Sequence, residues 1–212
     1  MVKIKDHSLY LVISAEYGRG RTAEEIARLA IAGGVDLIQL REKNKVSAEI
    51  IETARKLAAL CRKAGVLFIV NDDPRLASEA GADGVHLGQE DLKRVTIDEA
   101  RDIVGRNKII GISTSSLEEV EAANLADVDY IAFGPVFRTT IKDNCVGTKD
   151  VERVLKLSRH AVFFIGGINL SNVGELLAKS AKNISLIRAI LEADDITAMT
   201  KNLKTKLNEV HN

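Results

Sequence analysis

Short apolar runs alternate with longer amphipathic stretches along the whole chain. The short runs are four to six residues long and almost continuously apolar, which is typical of parallel strands that are covered on both faces. They predict eight strands: Leu9–Ser14, Leu37–Arg41, Leu67–Val70, Gly84–Leu87, Ile109–Ser113, Tyr130–Phe133, Val162–Ile165 and Ile184–Ile187.

The stretches between these runs have the spacing of amphipathic helices. Two capping boxes predict helix starts, one formed by Thr22 with Glu25 and the other by Ser116 with Glu119. A further helix is predicted by apolar residues that share one face: Ile50, Ala54, Leu57 and Cys61.

This alternation predicts an α/β fold, and eight strand–helix repeats in 212 residues are close to the minimum for a (β/α)8 TIM barrel. A doubly wound open sheet is the alternative that the pattern leaves open. The length suffices for one well-buried core and is short for two, so we expect a single domain spanning residues 1–212. Because there is no Trp, the core must be built mainly from Val, Ile, Leu and Ala.

Charge and cysteine content narrow the functional classes. Thirty Lys and Arg balance thirty Asp and Glu, so no global field attracts nucleic acid or a membrane surface. Cys61 and Cys145 lack the spacing of a disulfide framework, and no signal peptide or run of about 18 apolar residues is present. We therefore expect a cytoplasmic protein that acts on small molecules, and a homo-oligomer stays open.

Polar residues follow the predicted strands where a barrel carries its functional groups. Arg41 and Lys43 follow the second strand, and Asp72 and Asp91 follow the third and the fourth. Since these two strands are neighbours, both carboxylates can reach one point. Mg²⁺ takes one or two carboxylates together with phosphate and water. With Lys142 from the sixth loop, these residues predict a magnesium–pyrophosphate site.

Helix capping is the competing interpretation of these carboxylates. It is strong for Asp73, which precedes Pro74, and it also applies to Asp91, so the prediction of a metal site depends on the pair. His86 stands alone at a strand end, where a histidine is more often a hydrogen-bonded structural residue than a zinc ligand.

The segment after the seventh strand contains Gly166 and Gly167. Paired glycines let backbone N–H groups approach an anion, and barrels often bind phosphate with the loops after strands seven and eight. The pair also fits a tight turn with positive φ, and the two interpretations are compatible. Arg188, after the eighth strand, either clamps the same phosphate or is a solvated charge.

Together these segments resemble the thiamine phosphate synthase (thiamine-phosphate pyrophosphorylase) family. The resemblance extends from Leu9 to about Ala189. It rests on six segments in order: Gln39–Lys43 (QLREK), Asn71-Asp72, Ala82–Asp91 (ADGVHLGQED), Gly111–Glu119 (GISTSSLEE), Phe133–Phe137 (FGPVF) and Ile165–Asn169 (IGGIN).

The resemblance implies a Mg²⁺-dependent transferase that joins hydroxymethylpyrimidine diphosphate to a thiazole phosphate or thiazole carboxylate. Pyrophosphate leaves first, and the thiazole nitrogen attacks the resulting cation. The implied catalytic residues are Arg41, Lys43, Ser113 and Lys142. The implied substrate-binding residues are Gln39, Asn71, Thr139, Gly167, Ile187 and Arg188. The implied Mg²⁺ ligands are Asp72 and Asp91.

The sequence departs from the family pattern on the thiazole-phosphate side. The family continues Pro-Thr-x-Thr-Lys after FGPVF, whereas this chain has Arg138–Lys142 (RTTIK). Ile141 replaces the second Thr, although Thr140 offers a hydroxyl one residue earlier. The usual Ser at the end of the eighth strand is Arg188, and Ser180–Asn183 replaces a Gly-Ala-Asp-Gly turn. The diphosphate side keeps the family pattern.

Three other functions are alternatives. The related thiazole tautomerase tends to lack the Asn-Asp pair and the second metal Asp, and it carries histidines where this chain has Ser115 and Pro135. A non-catalytic barrel that binds a phosphate ligand or acts as a regulator would explain Arg138, Ile141 and Arg188. A phosphate-binding epimerase would need neither Mg²⁺ nor pyrophosphate.

Overall fold

A computed structural model describes residues 4–42, 47–139 and 145–209. Within them, each parallel strand pairs with the next along the chain, and the last pairs with the first, which closes a barrel. The strands are β1 Leu9–Ile13, β2 Leu37–Leu40, β3 Leu67–Asn71, β4 Gly84–Leu87, β5 Ile109–Thr114, β6 Tyr130–Phe133, β7 Ala161–Ile165 and β8 Asn183–Leu186. The predicted (β/α)8 barrel is confirmed, and closure excludes the doubly wound sheet.

A helix follows every strand, and β8 is followed by two. None in the described part of the chain is long and apolar enough to cross a membrane. Short 3₁₀ helices cover Ala15–Tyr17 and Asp91–Lys93. The α-helices are α1 Ala23–Ala32, α2 Ser47–Ala64, α3 Pro74–Ala80, α4 Ile97–Val104, α5 Leu117–Ala123, α6 Val151–Leu157, α7 Val173–Leu177, α8 Arg188–Leu191 and α9 Ile196–Glu209.

The strand ends differ from the predicted ones by one residue at several places. Asn71 belongs to β3, and Thr114 extends β5 beyond Ser113. Arg41 lies just after β2, and Ile187 lies beyond β8 as the residue that precedes α8. These shifts leave the polar residues at the same end of the barrel.

Capping explains where the helices start. Thr22 and Glu25 form the reciprocal box that the sequence predicts. The box predicted for Ser116 and Glu119 is wrong in one half: Ser116 accepts from the Glu119 N–H, but the Glu119 carboxylate accepts from the Ser115 N–H instead.

Two apolar cores lie on the two faces of the barrel sheet. The larger core fills the layer between the strands and the helices, and the smaller one fills the barrel interior around Tyr10, Tyr130 and Phe163. A Cβ on Gly111 would lie 2.0 Å from the Tyr130 ring, so glycine makes room for that ring. The tyrosines thus form the layer beneath the open end of the barrel.

Acidic side chains hold the opposite end together. Asp36 accepts from the Leu9 N–H at 2.8 Å, Asp83 from the Phe68 N–H at 2.9 Å, and Asp129 from the Ile110 N–H at 2.8 Å. Each of these aspartates lies directly before an even-numbered strand. Its carboxylate accepts a hydrogen bond from a backbone N–H near the start of the preceding odd-numbered strand. The same connection recurs around the barrel and fixes the amino ends of the strands.

Candidate functional site

The polar residues predicted from the sequence lie where the strands end, at the mouth of the barrel. Asn71 ends β3 and pairs in register with His86 of β4. Ser113 lies on β5, in register with Ala132 of β6. Since the strands are parallel and closed, these positions surround one opening.

The two proposed metal ligands are held by different local structures. Asp72 has a φ of 68°, and its N–H donates to the His86 carbonyl at 2.8 Å. Asp91 is 7% exposed, and its carboxylate accepts from the Gly88 N–H at 2.9 Å and pairs with Arg94. Asp73 caps α3 by accepting from the Arg75 and Leu76 N–H groups, as the capping interpretation predicts.

The donor set of Asp72 and Asp91 fits Mg²⁺. Burial alone would raise the pKa of Asp91, but hydrogen bonds with Asp72, the Gly88 N–H and Arg94 hold it below its usual range. Two carboxylates close enough to interact in this way can also share a hard cation. In the described part of the chain, no cluster of three or more His, Cys, Asp or Glu occurs, so phosphate and water would complete the coordination.

Of the three cations predicted for the site, the structure describes only Arg41. Arg41 lies directly after β2, and its N–H donates to the Ile13 carbonyl at 2.8 Å. Lys43 and Lys142 lie outside the described residues. Arg75 and Arg94, which the sequence analysis did not single out, line a groove of about 650 Å³ together with Asp72 and Asp91. Carboxylates outnumber these arginines five to two in the groove lining, so its charge favours a cation.

A chain of hydrogen bonds runs beneath the mouth. The Gln39 amide donates to the Tyr10 hydroxyl, which lies 2.9 Å from the Tyr130 hydroxyl. Tyr130 is 3.0 Å from His86 Nδ1, and His86 Nε2 is 2.9 Å from Ser113 Oγ. The chain therefore links two predicted site residues, Gln39 and Ser113, through the barrel interior.

His86 lies between Tyr130 and Ser113 in this chain of hydrogen bonds, and its structural role agrees with the sequence interpretation. It is 6% exposed, and burial lowers its pKa to about 4, against a small opposing effect of Asp91. The ring is therefore neutral near pH 7, with one nitrogen donating and the other accepting. Its side chain partners are a hydroxyl on each side rather than a second histidine.

The glycine turn after β7 has the conformation that the sequence suggests. Gly166 has a φ of 101° and Gly167 a φ of 67°. A Cβ on Gly166 would lie 2.4 Å from Pro135, and one on Gly167 would lie 2.6 Å from the Arg138 carbonyl. Both the backbone conformation and the close approach of the sixth loop therefore require glycine here.

Arg188 has partners of its own at this corner of the barrel. Its Nε is 2.7 Å from Glu192 Oε1, and its guanidinium lies 5.5 Å from the centre of the Tyr17 ring. Burial and Glu16 raise the pKa of Tyr17, while the charges of Arg188 and Arg41 oppose them. Arg188 is thus directed toward the first loop, which argues against a purely solvated charge.

The remaining predicted residues lie at the same end. Ile187, half-buried with φ −123° and ψ −90°, precedes α8. Thr139 is half-buried at the limit of a described segment, and Thr140 and Ile141 lie outside it.

Sequence reasoning missed Tyr10 and Tyr130. Their strands are apolar on both faces, so alternation gives no sign of which side chains point inward. The available signal was their rarity, since the chain has only three Tyr. The same rarity applies to Tyr17, and the i,i+4 spacing of Arg188 and Glu192 was a signal for their ion pair.

The closed barrel and the polar residues at the carboxyl ends of its strands place the chain in the class of (β/α)8-barrel proteins with an enzyme-like site. The family model described as thiamine monophosphate synthase matches residues 9–190. The chain belongs to this family.

Named relatives resemble the chain over nearly its whole length. A thiamine-phosphate synthase of Persephonella marina is 41% identical over 94% of this chain and 95% of the relative. One from Halalkalibacterium halodurans is 38% identical over 97% and 98%. The solved structure of a thiamine phosphate pyrophosphorylase from Pyrococcus furiosus has a TM-score of 0.88 and 33% identity, covering 97% of this chain and 98% of its own.

Proposed function

We propose that this chain is a thiamine-phosphate synthase that joins hydroxymethylpyrimidine diphosphate to thiazole phosphate or its carboxylate. Family membership supports the reaction. The structural observation that carries the proposal is the interacting carboxylate pair, Asp72 and Asp91, in a groove whose lining is predominantly acidic. Such a pair suits a divalent cation, and Mg²⁺ in turn suits a diphosphate substrate.

The diphosphate is the leaving group of the proposed reaction. The bond between the pyrimidine methylene carbon and the diphosphate oxygen breaks, and the electron pair leaves with the oxygen. The thiazole nitrogen then donates its lone pair to the carbon. Arg41, with Lys43 and Lys142, would stabilise the charge that develops on the leaving oxygens, and Asn71 and Ser113 would hydrogen-bond to it.

Asp72 and Asp91 would hold Mg²⁺. When bound, the ion would supply further positive charge at the diphosphate. The small, oxygen-only ligand set suits Mg²⁺ better than a metal that prefers imidazole or thiolate. His86 would not be a ligand, because both its ring nitrogens have hydroxyl partners.

The thiazole phosphate would occupy the corner between the sixth, seventh and eighth loops. The backbone at Gly167, with Thr139 and Ile187, would contact the phosphate, and Arg188 would add a cation where the family has Ser. We also propose that residues 1–212 form one domain that acts in the cytoplasm on these small molecules. The named relatives do not favour the tautomerase or regulatory alternatives.

A two-product assay tests the function. Purified protein is incubated with both substrates and Mg²⁺, and thiamine phosphate is measured as fluorescent thiochrome while pyrophosphate is measured separately. Equal amounts of the two products are expected. Pyrophosphate without thiamine phosphate would indicate a lost thiazole site, and neither product would favour a binding protein. The matched control is Asp72→Asn, which keeps the size of the side chain and removes its charge.

A further inference from the structure

The hydrogen-bond chain beneath the mouth connects five side chains from five strands. It runs from Gln39 on β2 through Tyr10, Tyr130 and His86 to Ser113 on β5. Its two tyrosines are 1% and 0% exposed, so bulk solvent does not reach their hydroxyls. Only the two ends, Gln39 and Ser113, lie among the residues proposed to contact substrate.

The donors and acceptors of this chain are fixed one after another. The Gln39 nitrogen can only donate, so the Tyr10 oxygen accepts. The Tyr10 proton then needs an acceptor, because a buried donor without a partner is costly. Among the described residues that acceptor is the Tyr130 hydroxyl.

The same argument continues to the other end. The Tyr130 hydroxyl then donates its hydrogen bond to His86 Nδ1, which must accept. The neutral ring then carries its proton on Nε2 and donates to Ser113 Oγ. Since the Ser113 oxygen is already an acceptor, its own proton is left for a group in the mouth. Ser113 is half-buried and lies at that boundary.

We propose that Tyr130 is a positioning residue that fixes the Nε2–H tautomer of His86 and thereby makes Ser113 a hydrogen-bond donor to the substrate. The proposal rests on the proposed function for the identity of the substrate, an anionic diphosphate whose oxygens can only accept. With the opposite tautomer, Ser113 would give its proton to His86 and present only lone pairs to these oxygens. Tyr130 would thus act through two other residues without touching the substrate.

Tyr130→Phe isolates this role. It keeps the ring that packs against Gly111 and stacks on His86 at a centroid distance of 5.6 Å, and it removes only the hydroxyl. The control is Ser185→Ala. Ser185 is 1% exposed and in register with Tyr10, and its hydroxyl has no hydrogen-bond partner within the described residues. The control therefore removes a buried hydroxyl of the barrel interior that does not belong to the chain of hydrogen bonds.

The first test is spectroscopic and needs no activity. In protein labelled with ¹⁵N-histidine, the two ring nitrogens of His86 give different shifts when one is protonated, and His86→Gln identifies them. The wild type should show protonated Nε2 and unprotonated Nδ1, Tyr130→Phe should show a mixture of tautomers, and Ser185→Ala should match the wild type. Protonated Nδ1 in the wild type, or no change in Tyr130→Phe, would overturn the proposal.

The second test is a double-mutant cycle on kcat/KM for the pyrimidine diphosphate. Tyr130→Phe should lower it about tenfold, the effect of losing one well-directed hydrogen bond, while KM for thiazole phosphate stays unchanged. In a Ser113→Ala background, Tyr130→Phe should cause almost no further loss. If the effects of the two substitutions on kcat/KM were fully additive in free energy, Tyr130 would not act through Ser113. If the wild type makes no thiamine phosphate, the proposed function fails and the tautomer test still decides the positioning role.

Discussion

Asp72 combines an unusual backbone with its proposed role. A positive φ is uncommon outside glycine, and Asp and Asn tolerate it best. At Asp72 the φ of 68° directs the N–H to the His86 carbonyl of the next strand. The side chain is therefore held at a defined place near Asp91, so the backbone and the proposed ligand role favour the same residue type.

Asp72→Asn is expected to lower turnover by about a hundredfold or more, the usual effect of removing a group that stabilises developing charge. Asn suits the same backbone, so the thermal unfolding midpoint should change little. Initial rates over a Mg²⁺ titration check this. Asp73→Asn is the matched control, because Asn also caps helices well, and its turnover should be near that of the wild type. Wild-type rates for Asp72→Asn at limiting Mg²⁺ would rule out the metal-site proposal.

Arg188→Ser tests the departure from the family pattern. We expect weaker binding of thiazole phosphate, by roughly 1.5–3 kcal/mol for a lost charge-assisted contact, because the guanidinium lies beside the proposed phosphate corner. Calorimetric titration measures it. Glu192→Gln is informative alongside, since it removes the ion-pair partner of Arg188 and should leave the phosphate contact in place. Tighter binding by Arg188→Ser would mean that the arginine blocks the corner.

At the scale of elements, apolar runs and strand spacing suffice to predict the barrel. Parallel strands covered on both faces leave a strong apolar signal, and eight of them in this length leave few alternatives. Helix starts are less certain, because a cap depends on side-chain geometry. Glu119 bonds to Ser115 rather than to Ser116, while Thr96 and Glu99, not singled out in the sequence, form a full box.

The candidate site likewise contains residues that the sequence predicts and residues that it does not. Strand ends can be located from the sequence, so Asn71, Asp72 and Ser113 are predicted at the mouth. The interior chain through Tyr10 and Tyr130 depends on which face of each strand turns inward, and apolar residues on both faces conceal that. Such contacts between distant strands need the closed register of the barrel.

Asp83→Ala tests the carboxylates at the amino ends of the strands. It removes the acceptor of the buried Phe68 N–H and should lower the free energy of unfolding by about 1–3 kcal/mol. Urea unfolding should show a lower midpoint with an unchanged m-value. Asp83→Asn keeps an acceptor and should lose less. Because this end is remote from the mouth, kcat should be unchanged. A large fall in kcat would mean that the amino ends of the strands also influence catalysis.

At the scale of the whole molecule, stability and chemistry are assigned to opposite ends. The repeated carboxylates bond backbone at the amino ends of the strands, and Arg101 strengthens one of them through Asp129 at 3.0 Å. At the carboxyl ends, Asp72 and Asp91 interact with each other instead. The carboxylates at the amino ends are thus used by backbone N–H groups, whereas this pair is proposed to bind a cation.

The two cysteines can report on opening of the whole barrel. Cys61 on α2 is 0% exposed in the outer core, and burial, with Asp83 adding to it, raises its pKa to about 12. Cys145 is half-buried. Because thiolate is the reactive form and burial blocks access, Cys61 in a Cys145→Ser variant should react with an aromatic disulfide reagent at least about a thousandfold more slowly than Cys145 in a Cys61→Ala variant. Its labelling rate should rise with urea at the slope of global unfolding. A rate that does not depend on urea would mean that α2 opens locally while the barrel stays closed.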